Sequence, residues 1–355
     1  MNQATDPTNL KWMSRCFELA RSGIGSVSPN PPVGAVLVLD SKILGEGFHT
    51  HFGGPHAEVE AFRNVPESMR HLIPLATLYV SLEPCCITGK TPPCTDLILR
   101  EGVKDVRIAI ADPNPEVAGK GIELLRSHGV KITLGILEAE AQDLIRSFKT
   151  NIIFHRPYVI LKWAQSIHGY IGKPDEKIWL SHPHTSIWTH KQRSFADAIM
   201  VGARTVMLDD PLLTNREYTG KSPHRVIYDL HGRLNNLYRV FNDEGVKVFY
   251  FSKNENKNIA GDHIHKYELS DGTPHYLQIL QSLFLYKIGI LLVEGGTFVH
   301  NLFIQYQAWD EAYVIHTSHP LEDGIKAPIV KGRLAQQIPS STDTITCILN
   351  DDKAN

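Results

Sequence analysis

The feature that most constrains the fold is an alternation of short β-rich runs with helical segments, which occurs twice along the chain. In the first half, after an amphipathic helix at 10–21, the predicted strands are 33–39, 77–82, 106–111 and 131–136, and the predicted helices are 57–65, 94–101, 121–127 and 138–148. In the second half, the predicted strands are 158–163, 198–201, 225–228, 246–251, 288–293 and 312–315, and the predicted helices are 184–195, 275–285 and 297–305. This alternation is typical of α/β domains, in which helices cover a sheet. We therefore predict an α/β fold for both halves.

The chain length agrees with a division between the two series. The chain has 355 residues, and at roughly 150 residues per domain this length indicates about two domains. The basic and polar segment 149–157 ends in an X-Pro step, which favours extended backbone at a domain border. We predict one domain at 1–150 and a second at 151–355.

Composition and charge narrow the class of partner. Hydrophobic residues make up 42% and charged residues 21%, values that exclude a disordered chain. The 36 basic and 38 acidic residues give a net charge of −2, so there is no positive excess to bind a nucleic-acid backbone. No apolar run approaches the roughly 20 residues that span a bilayer, and the polar N-terminus does not resemble a secretory signal. We expect a cytoplasmic protein that binds a small molecule, without nucleic-acid or membrane partners.

Three of the five cysteines, Cys85, Cys86 and Cys94, fall within ten residues. In a reducing compartment such a cluster indicates metal binding rather than a disulfide. Pro92-Pro93 predicts that Cys94 starts a helix, where the helix dipole lowers the pKa of a thiol. Upstream, His56 offers an imidazole. One imidazole and two thiolates leave the fourth tetrahedral position for water, whereas a structural zinc site fills all four.

The residue two positions after the histidine, Glu58, suggests the chemistry of this site. A carboxylate there can take a proton from the metal-bound water and pass it to a leaving amine. The order His-x-Glu, Pro-Cys, Cys matches the zinc-deaminase signature, although eight residues separate the cysteines here rather than the usual two. Cys86 could replace Cys85 or fill the fourth position, but the Pro-Cys context favours Cys85 as the ligand.

The second half is less informative by itself. It contains no G-x-G-x-x-G fingerprint, which argues against an ordinary Rossmann dinucleotide site. The loop-like segment 205–216 combines hydroxyls, two carboxylates and an arginine. Segment 293–297, Val-Glu-Gly-Gly-Thr, ends a predicted strand and opens a helix, where glycine backbone can present N–H groups to a phosphate.

Taken together, these motifs resemble the bifunctional deaminase-reductase family of riboflavin biosynthesis, and the likeness covers most of the chain. The segments that carry it in the first half are 29–34, 45–49, 55–58, 83–85, 89–94 and 112–115. The eight-residue spacing between the cysteines is typical of this family. The resemblance implies a cytidine-deaminase-like three-layer α/β/α domain followed by an α/β domain similar to dihydrofolate reductase.

For the first domain, the resemblance implies a deaminase that hydrolyses the amine of a diaminopyrimidinone ribosyl-phosphate. It implies that Zn²⁺ is held by His56, Cys85 and Cys94, with Glu58 as the proton shuttle. The residues implied to line the substrate pocket are Asn30, His49, Lys90 and Asn114. A cation such as Lys90 suits a phosphate and asparagines suit pyrimidine edges, but Asn30 and Asn114, flanked by prolines, could instead be turn formers.

For the second domain, the resemblance implies a reductase that uses NADPH to convert a ribosyl chain to a ribityl chain. The implied substrate-binding residues are Arg193, Leu213, Arg216 and Glu294. The implied cofactor-binding residues are Ala164, Trp179, Thr205, Asp209 and Gly296. The two arginines would act as forks for the substrate phosphate. We also expect a homo-oligomer.

Two segments depart from the family pattern. Ser166-Ile167-His168-Gly169 carries a histidine where the family has aspartate, and Cys86-Ile87-Thr88 replaces a Ser-His-x run. The first departure leaves open a deaminase whose second domain binds but does not reduce. Two further alternatives are a nucleic-acid-editing deaminase, which the net charge disfavours, and a structural zinc module with Cys86 as the fourth ligand.

Overall fold

The chain divides into two compact units, and the division falls between His155 and Arg156. The structure is a computed structural model that describes residues 3–88 and 92–351. Each unit is built on its own β-sheet and is described separately.

The first unit contains five strands and six α-helices within the described ranges. The strands are β1 Gly34–Leu39, β2 Lys42–Phe48, β3 Thr77–Val80, β4 Asp105–Ile108 and β5 Lys131–Leu134. The helices are α1 Pro7–Ser22, α2 Ala57–Arg63, α3 Cys94–Arg100, α4 Lys120–Ser127, α5 Glu138–Leu144 and α6 Arg146–Phe154. The sheet order is β2-β1-β3-β4-β5, with β1 antiparallel to β2 and β3, and with β3, β4 and β5 parallel.

Apolar side chains cover both faces of this sheet. On β1, Ala35 and Leu37 belong to the core formed with α2, α3 and α4, whereas Val36 and Val38 belong to the core formed with α1 and α5. Successive strand residues point to opposite faces, so helices pack on both sides. The predicted three-layer α/β/α architecture of the first domain is confirmed.

Over its described residues, 156–351, the second unit contains a nine-stranded sheet, a two-stranded ribbon and four α-helices. Its strands are β6 Tyr158–Gln165, β7 Tyr170–Gly172, β8 Ala198–Gly202, β9 His224–Tyr228, β10 Val248–Ser252, β11 Ile264–Glu268, β12 Ile290–Val293, β13 Glu311–His316, β14 Ile325–Lys326, β15 Arg333–Ser340 and β16 Asp343–Leu349. Its helices are α7 Pro183–Phe195, α8 Ala203–Asp209, α9 His275–Leu285 and α10 Thr297–Ile304.

The large sheet has the order β11-β10-β9-β8-β12-β6-β13-β16-β15, while β7 pairs with β14. The first seven strands in this order, β11 across to β13, are all parallel to their neighbours. Strands β16 and β15 add antiparallel pairs at one edge. On β8, Ala198 and Met200 face one apolar core and Ile199 and Val201 face the other. Strands buried on both faces produce the continuous apolar runs seen in the sequence. The α/β prediction for the second domain is confirmed.

Several local predictions were wrong. Strand β2 was not predicted because Gly45 and Gly47 interrupt its apolar pattern. Both glycines lie against α2: an added Cβ would meet the Ala61 backbone at 2.3 Å and 2.5 Å, respectively. The predicted helix 138–148 is two helices, α5 and α6, and α6 includes residues 149–154 of the segment in which we placed the domain border. Strands β11, β15 and β16 were also missed, and residues 205–209 are helical in α8 rather than loop-like.

None of the helices in the described ranges combines the length and the apolar character needed to cross a membrane.

Candidate functional site

Three elements of the first unit bring a histidine and two cysteines together. His56 is the N-cap residue of α2, Cys85 lies in the segment after β3, and Cys94 is the first residue of α3, directly after Pro93. The predicted helix start at Cys94 is confirmed. The Cys94 backbone N–H donates to Cys85 Sγ at 3.3 Å, so the start of α3 contributes to both sulfur positions.

The distances between these side chains fit a zinc ion. His56 Nδ1 lies 3.2 Å from Cys94 Sγ and 3.5 Å from Cys85 Sγ. Zinc bonds of about 2.0 Å to nitrogen and about 2.3 Å to sulfur put such ligands about 3.6 Å apart in a tetrahedron. Among the described His, Cys, Asp and Glu side chains, these three form the one group whose ligand atoms all lie within 4.8 Å of one another. Cys86 is not part of it, so the structure offers no fourth thiolate ligand there.

The electrostatics of the cluster lower the pKa of a thiol and raise the pKa of a carboxyl. The hydrogen bond from Cys94, aided by His56, lowers the pKa of Cys85 to about 4 despite its burial. Glu58, in the first turn of α2, is 3% exposed. Burial, followed by the negative charge of Cys85, raises the pKa of Glu58. A raised pKa makes a carboxylate a better general base, because it takes up a proton more readily.

Beside this cluster, His49 and Asn30 form a polar pair. The buried His49 ring hydrogen-bonds to the Pro55 carbonyl oxygen through Nδ1 at 2.8 Å, which makes Nδ1 the donor and Nε2 the acceptor for Asn30 Nδ2 at 3.1 Å. The centroids of the His49 and His56 rings are 5.7 Å apart. The structure therefore brings these two predicted pocket residues to the cluster.

The other two predicted pocket residues differ in outcome. Asn114 Oδ1 accepts the Glu116 N–H at 3.0 Å, so Asn114 forms a turn, and a substrate contact would use its Nδ2. Lys90 lies outside the described residues.

Sequence reasoning overlooked Glu83, which organises this side of the site. Its carboxylate is 3% exposed and accepts backbone N–H groups from Asp112, Gly119 and Ile122 at 2.9–3.1 Å. These bonds tie the segment after β4 and the start of α4 to the residue that precedes Pro84-Cys85. The sequence feature that could have identified Glu83 is the position of a carboxylate directly after a buried strand.

In the second unit, one open cleft of about 1100 Å³ collects every predicted reductase residue. Its lining includes Ala164, Trp179, Arg193, Thr205, Asp209, Leu213, Arg216, Glu294 and Gly296. The cleft lies at the carboxyl ends of parallel strands, where α/β sheets commonly bind ligands. Trp179 is 65% exposed, and Asp209 is half-buried, which raises its pKa.

Arg193 and Glu294 form a buried ion pair at the floor of the cleft. Arg193 donates from Nε to Glu294 Oε1 at 3.1 Å and from Nη2 to Oε2 at 2.7 Å, and its Nη1 donates to the Thr214 carbonyl at 3.1 Å. Burial alone would raise the pKa of Glu294, but Arg193 and the nearby Lys162 lower it to about 2. Arg193 therefore fixes Glu294 and is not the free phosphate fork that we predicted. Lys162, whose pKa is lowered by burial, is a further lining residue that sequence reasoning overlooked.

Arg216 fits the predicted phosphate contact better. Its side chain is exposed, with Nη1 donating to Thr214 Oγ1 at 3.0 Å, and its backbone N–H donates to Nδ1 of the buried His190 at 3.0 Å. Leu213, three residues before Arg216, is buried with a φ of 56°, which is unusual for a leucine.

The two glycines of the Glu-Gly-Gly segment have different roles. An added Cβ at Gly295 would lie 3.1 Å from Gly202 N and 3.1 Å from Val299 Cβ, so Gly295 permits close packing of β8 and α10. Gly296 is the N-cap of α10, which has no side-chain cap, and a Cβ there would meet nothing within 4 Å. Free N–H groups at a helix start next to open space fit a phosphate of NADPH.

The His168 departure leaves its turn intact. Ser166 Oγ accepts the N–H groups of His168 and Tyr170 at 3.3 Å and 3.2 Å and donates to the Leu321 carbonyl oxygen at 2.8 Å. The His168 side chain is 48% exposed and lies 3.9 Å from Glu322.

Comparison with known proteins identifies the relatives of both units. Residues 7–110 match the family described as the cytidine and deoxycytidylate deaminase zinc-binding region, and residues 157–325 match the RibD C-terminal domain. The riboflavin biosynthesis protein RibD of Aquifex aeolicus is 36% identical, over 88% of each chain. That of Chlamydia pneumoniae is 35% identical, over 90% of this chain and 87% of its own. The chain belongs to the RibD family.

A solved RibD-type structure agrees over nearly the whole chain. The diaminohydroxyphosphoribosylaminopyrimidine deaminase/5-amino-6-(5-phosphoribosylamino)uracil reductase of Thermotoga maritima is 35% identical, with a TM-score of 0.87 over 96% of this chain and 98% of that one. As a RibD family member, the protein is a bifunctional deaminase and reductase of riboflavin biosynthesis that uses Zn²⁺ and NADPH and acts on small phosphorylated pyrimidines. The predicted family, fold class and pair of activities are confirmed.

Proposed function

We propose that the N-terminal domain deaminates diaminohydroxyphosphoribosylaminopyrimidine and that the C-terminal domain reduces the ribosyl chain of 5-amino-6-(5-phosphoribosylamino)uracil. These are the compounds in the name of the Thermotoga maritima relative. The observation that carries the first assignment is the close approach of His56, Cys85 and Cys94 with the buried Glu58 beside them. The second is supported by the single cleft that collects the predicted reductase residues.

In the deaminase, His56, Cys85 and Cys94 would hold Zn²⁺, which when bound supplies the Lewis acidity that makes water reactive at neutral pH. Glu58 would accept the proton of the attacking water on its carboxylate and return it to the departing amine. Its burial supports this role because the raised pKa makes the carboxylate a stronger proton acceptor than an exposed glutamate. His49 Nε2, with its tautomer fixed by the Pro55 carbonyl, and Asn30 would orient the pyrimidine.

In the reductase, Arg216 would bind the substrate phosphate, and Arg193 would hold Glu294 ionised at the floor of the cleft. Leu213 would provide an apolar contact to the substrate at the cleft wall. The predicted cofactor residues Ala164, Trp179, Thr205, Asp209 and Gly296 would bind NADPH, which supplies the hydride when bound.

Replacing Glu58 with Gln tests the deaminase assignment. The variant should keep its zinc, measured by metal analysis, and lose ammonia release by about 100-fold or more, because the amide cannot carry the proton. Its NADPH oxidation with already deaminated substrate should stay at the wild-type rate, which serves as the control for folding. Ammonia release at the wild-type rate would reject this role for Glu58.

Replacing Arg216 with Gln tests the reductase assignment. Loss of one charge-assisted phosphate contact should raise KM for the uracil substrate by about 10- to 100-fold. An unchanged KM would place the phosphate elsewhere in the cleft.

We also propose that the enzyme is a cytoplasmic homo-oligomer without nucleic-acid or membrane partners. A reducing compartment keeps Cys85 and Cys94 available as thiolates, and the net charge is −2. Edge strand β15 is largely exposed, including Leu334 at 55%, and offers unpaired backbone groups to a second copy. Light scattering on the purified protein tests the oligomeric state, and a monomeric mass would reject it.

A further inference from the structure

The loop after α8, residues 210–216, is held along its backbone by side chains from outside the loop. Four of its backbone groups each form one such hydrogen bond, at 3.0–3.1 Å. The pairs are the Leu212 carbonyl with Arg225 Nε, the Thr214 carbonyl with Arg193 Nη1, the Asn215 N–H with Ser222 Oγ, and the Arg216 N–H with His190 Nδ1. The loop therefore has a defined shape without a substrate.

The end of the loop that carries Arg216 depends on His190 of α7, which is 2% exposed. Because His190 Nδ1 accepts the Arg216 N–H, the ring proton is on Nε2, which lies 3.6 Å from Glu217 Oε1. Burial, followed by the positive charge of Arg193, lowers the pKa of His190. The ring is thus neutral at pH 7, in the tautomer that the contact with Arg216 requires.

The contact with His190 holds the base of a side chain whose tip is also held. The Arg216 guanidinium donates from Nη1 to Thr214 Oγ1 at 3.0 Å, and both Arg216 and His190 line the cleft. A guanidinium fork that is already oriented loses less conformational entropy when it binds a phosphate. His190 can therefore influence phosphate binding through the backbone of Arg216.

We propose that His190 is a positioning residue of the reductase, which holds Arg216 in place for the substrate phosphate and so helps to select the phosphorylated substrate over its dephosphorylated form. The inference rests on the proposed contact between Arg216 and the substrate phosphate. Residues 212–215 keep their own hydrogen bonds when His190 is replaced. Loss of the His190 contact should therefore displace Arg216 and leave the rest of the loop in place.

Two amide substitutions test this role, because they place their polar atoms differently. The side chain of His190→Asn can place an acceptor oxygen at the position of Nδ1, whereas that of His190→Gln reaches the position of Nε2. His190→Gln should raise KM for 5-amino-6-(5-phosphoribosylamino)uracil by about 3- to 10-fold, the value of one neutral hydrogen bond. Its kcat should stay within about twofold of wild type, and His190→Asn should restore KM to within about twofold.

A second histidine provides a matched control. His224 Nδ1 accepts the Lys247 N–H, also at 3.0 Å, and His224 is not among the described residues that line the cleft. His224→Gln should keep the wild-type KM, and its Tm shows how much stability the loss of such a bond removes. With the dephosphorylated substrate, which lacks the group that Arg216 contacts, His190→Gln should have the same KM as wild type.

The outcomes distinguish the role of His190 from the phosphate assignment. A wild-type KM in His190→Gln, or an equal rise in KM in His190→Asn and His190→Gln, would overturn the proposal. So would an equal rise with phosphorylated and dephosphorylated substrates. If His190→Gln does not fold, His190→Leu, which also lacks an acceptor, takes its place with the same expected KM. If Arg216→Gln raises KM and His190→Gln does not, only the role of His190 is rejected. If Arg216→Gln leaves KM unchanged, the phosphate assignment fails, and the role of His190 fails with it.

Discussion

Replacing Arg193 with Met should destabilise the reductase domain in a pH-dependent way, because it leaves Glu294 buried without its partner. The Arg193 and Glu294 side chains are only 14% and 9% exposed, so solvent screens their interaction little. Against the effect of burial, Arg193 together with Lys162 lowers the pKa of Glu294 from 4.5 to about 2. At about 1.4 kcal/mol per pKa unit this corresponds to about 3.4 kcal/mol, close to the roughly 3–5 kcal/mol for breaking a buried pair.

The pH dependence has a definite direction. In the wild type the carboxyl pKa is depressed, so the stabilisation is complete above pH 4.5 and is lost as the pH falls towards 2. In Arg193→Met, burial without a partner raises the pKa of Glu294 above its ordinary value. The variant's carboxyl therefore takes up a proton above pH 4.5, and the stability difference from wild type narrows as the pH falls towards that value.

Thermal denaturation followed by circular dichroism measures this difference. For a domain of about 200 residues, a loss of about 3 kcal/mol lowers Tm by about 6–12 °C. The double variant Arg193→Met/Glu294→Met removes both charges and should recover most of the loss. Arg204→Met is the matched control, since Arg204 is 55% exposed and its partner Asp175 fully exposed. Its Tm should hardly change. A single variant as stable as wild type, or a difference that stays constant as the pH falls from 7 towards 4.5, would refute the reasoning.

Three further predictions concern the supports of the two sites. Glu83→Gln should lower the free energy of unfolding by about 1–3 kcal/mol, measured by urea denaturation, because a neutral amide cannot replace a carboxylate that accepts three N–H groups. The same variant should raise the deaminase KM. An unchanged KM would contradict the positioning role of Glu83. Gly295→Ala should lower the free energy of unfolding by about 1–3 kcal/mol in the same assay. Gly296→Ala should lower it by less, because the added Cβ has open space. Equal losses would contradict the packing role of Gly295. His168→Asp should change the reductase kcat by no more than about twofold, because His168 is half exposed and Ser166 holds the turn. A large gain in kcat would show that the aspartate is needed.

The metal cluster was the most predictable part of the molecule because its signals are local. Ligand residue types, the spacing of His56 and Glu58 on one helix start, and the two prolines before Cys94 can all be recognised within short segments. The apolar runs of β6, β8 and β12 were equally clear, since parallel strands buried on both faces are continuously hydrophobic.

What sequence reasoning missed depends on contacts between distant residues. Arg193 and Glu294 were both assigned to the substrate, and no local pattern shows that two residues 101 positions apart pair with each other. Strand β2 was not predicted because its two glycines are required by close packing against helix α2, and glycine has a low strand propensity. Glu83 carries a role that depends on three backbone N–H groups supplied by another segment.

The central claim is that one chain deaminates a phosphorylated aminopyrimidine and then reduces its ribosyl chain. Mass spectrometry of the product formed by the purified zinc-loaded protein from diaminohydroxyphosphoribosylaminopyrimidine, with and without NADPH, tests it most directly. Without NADPH we predict exchange of the amine for an oxo group and nothing further, and with NADPH the added hydrogen of the ribityl product. Unchanged substrate in both reactions, or a deaminated product that NADPH leaves unreduced, would contradict the account.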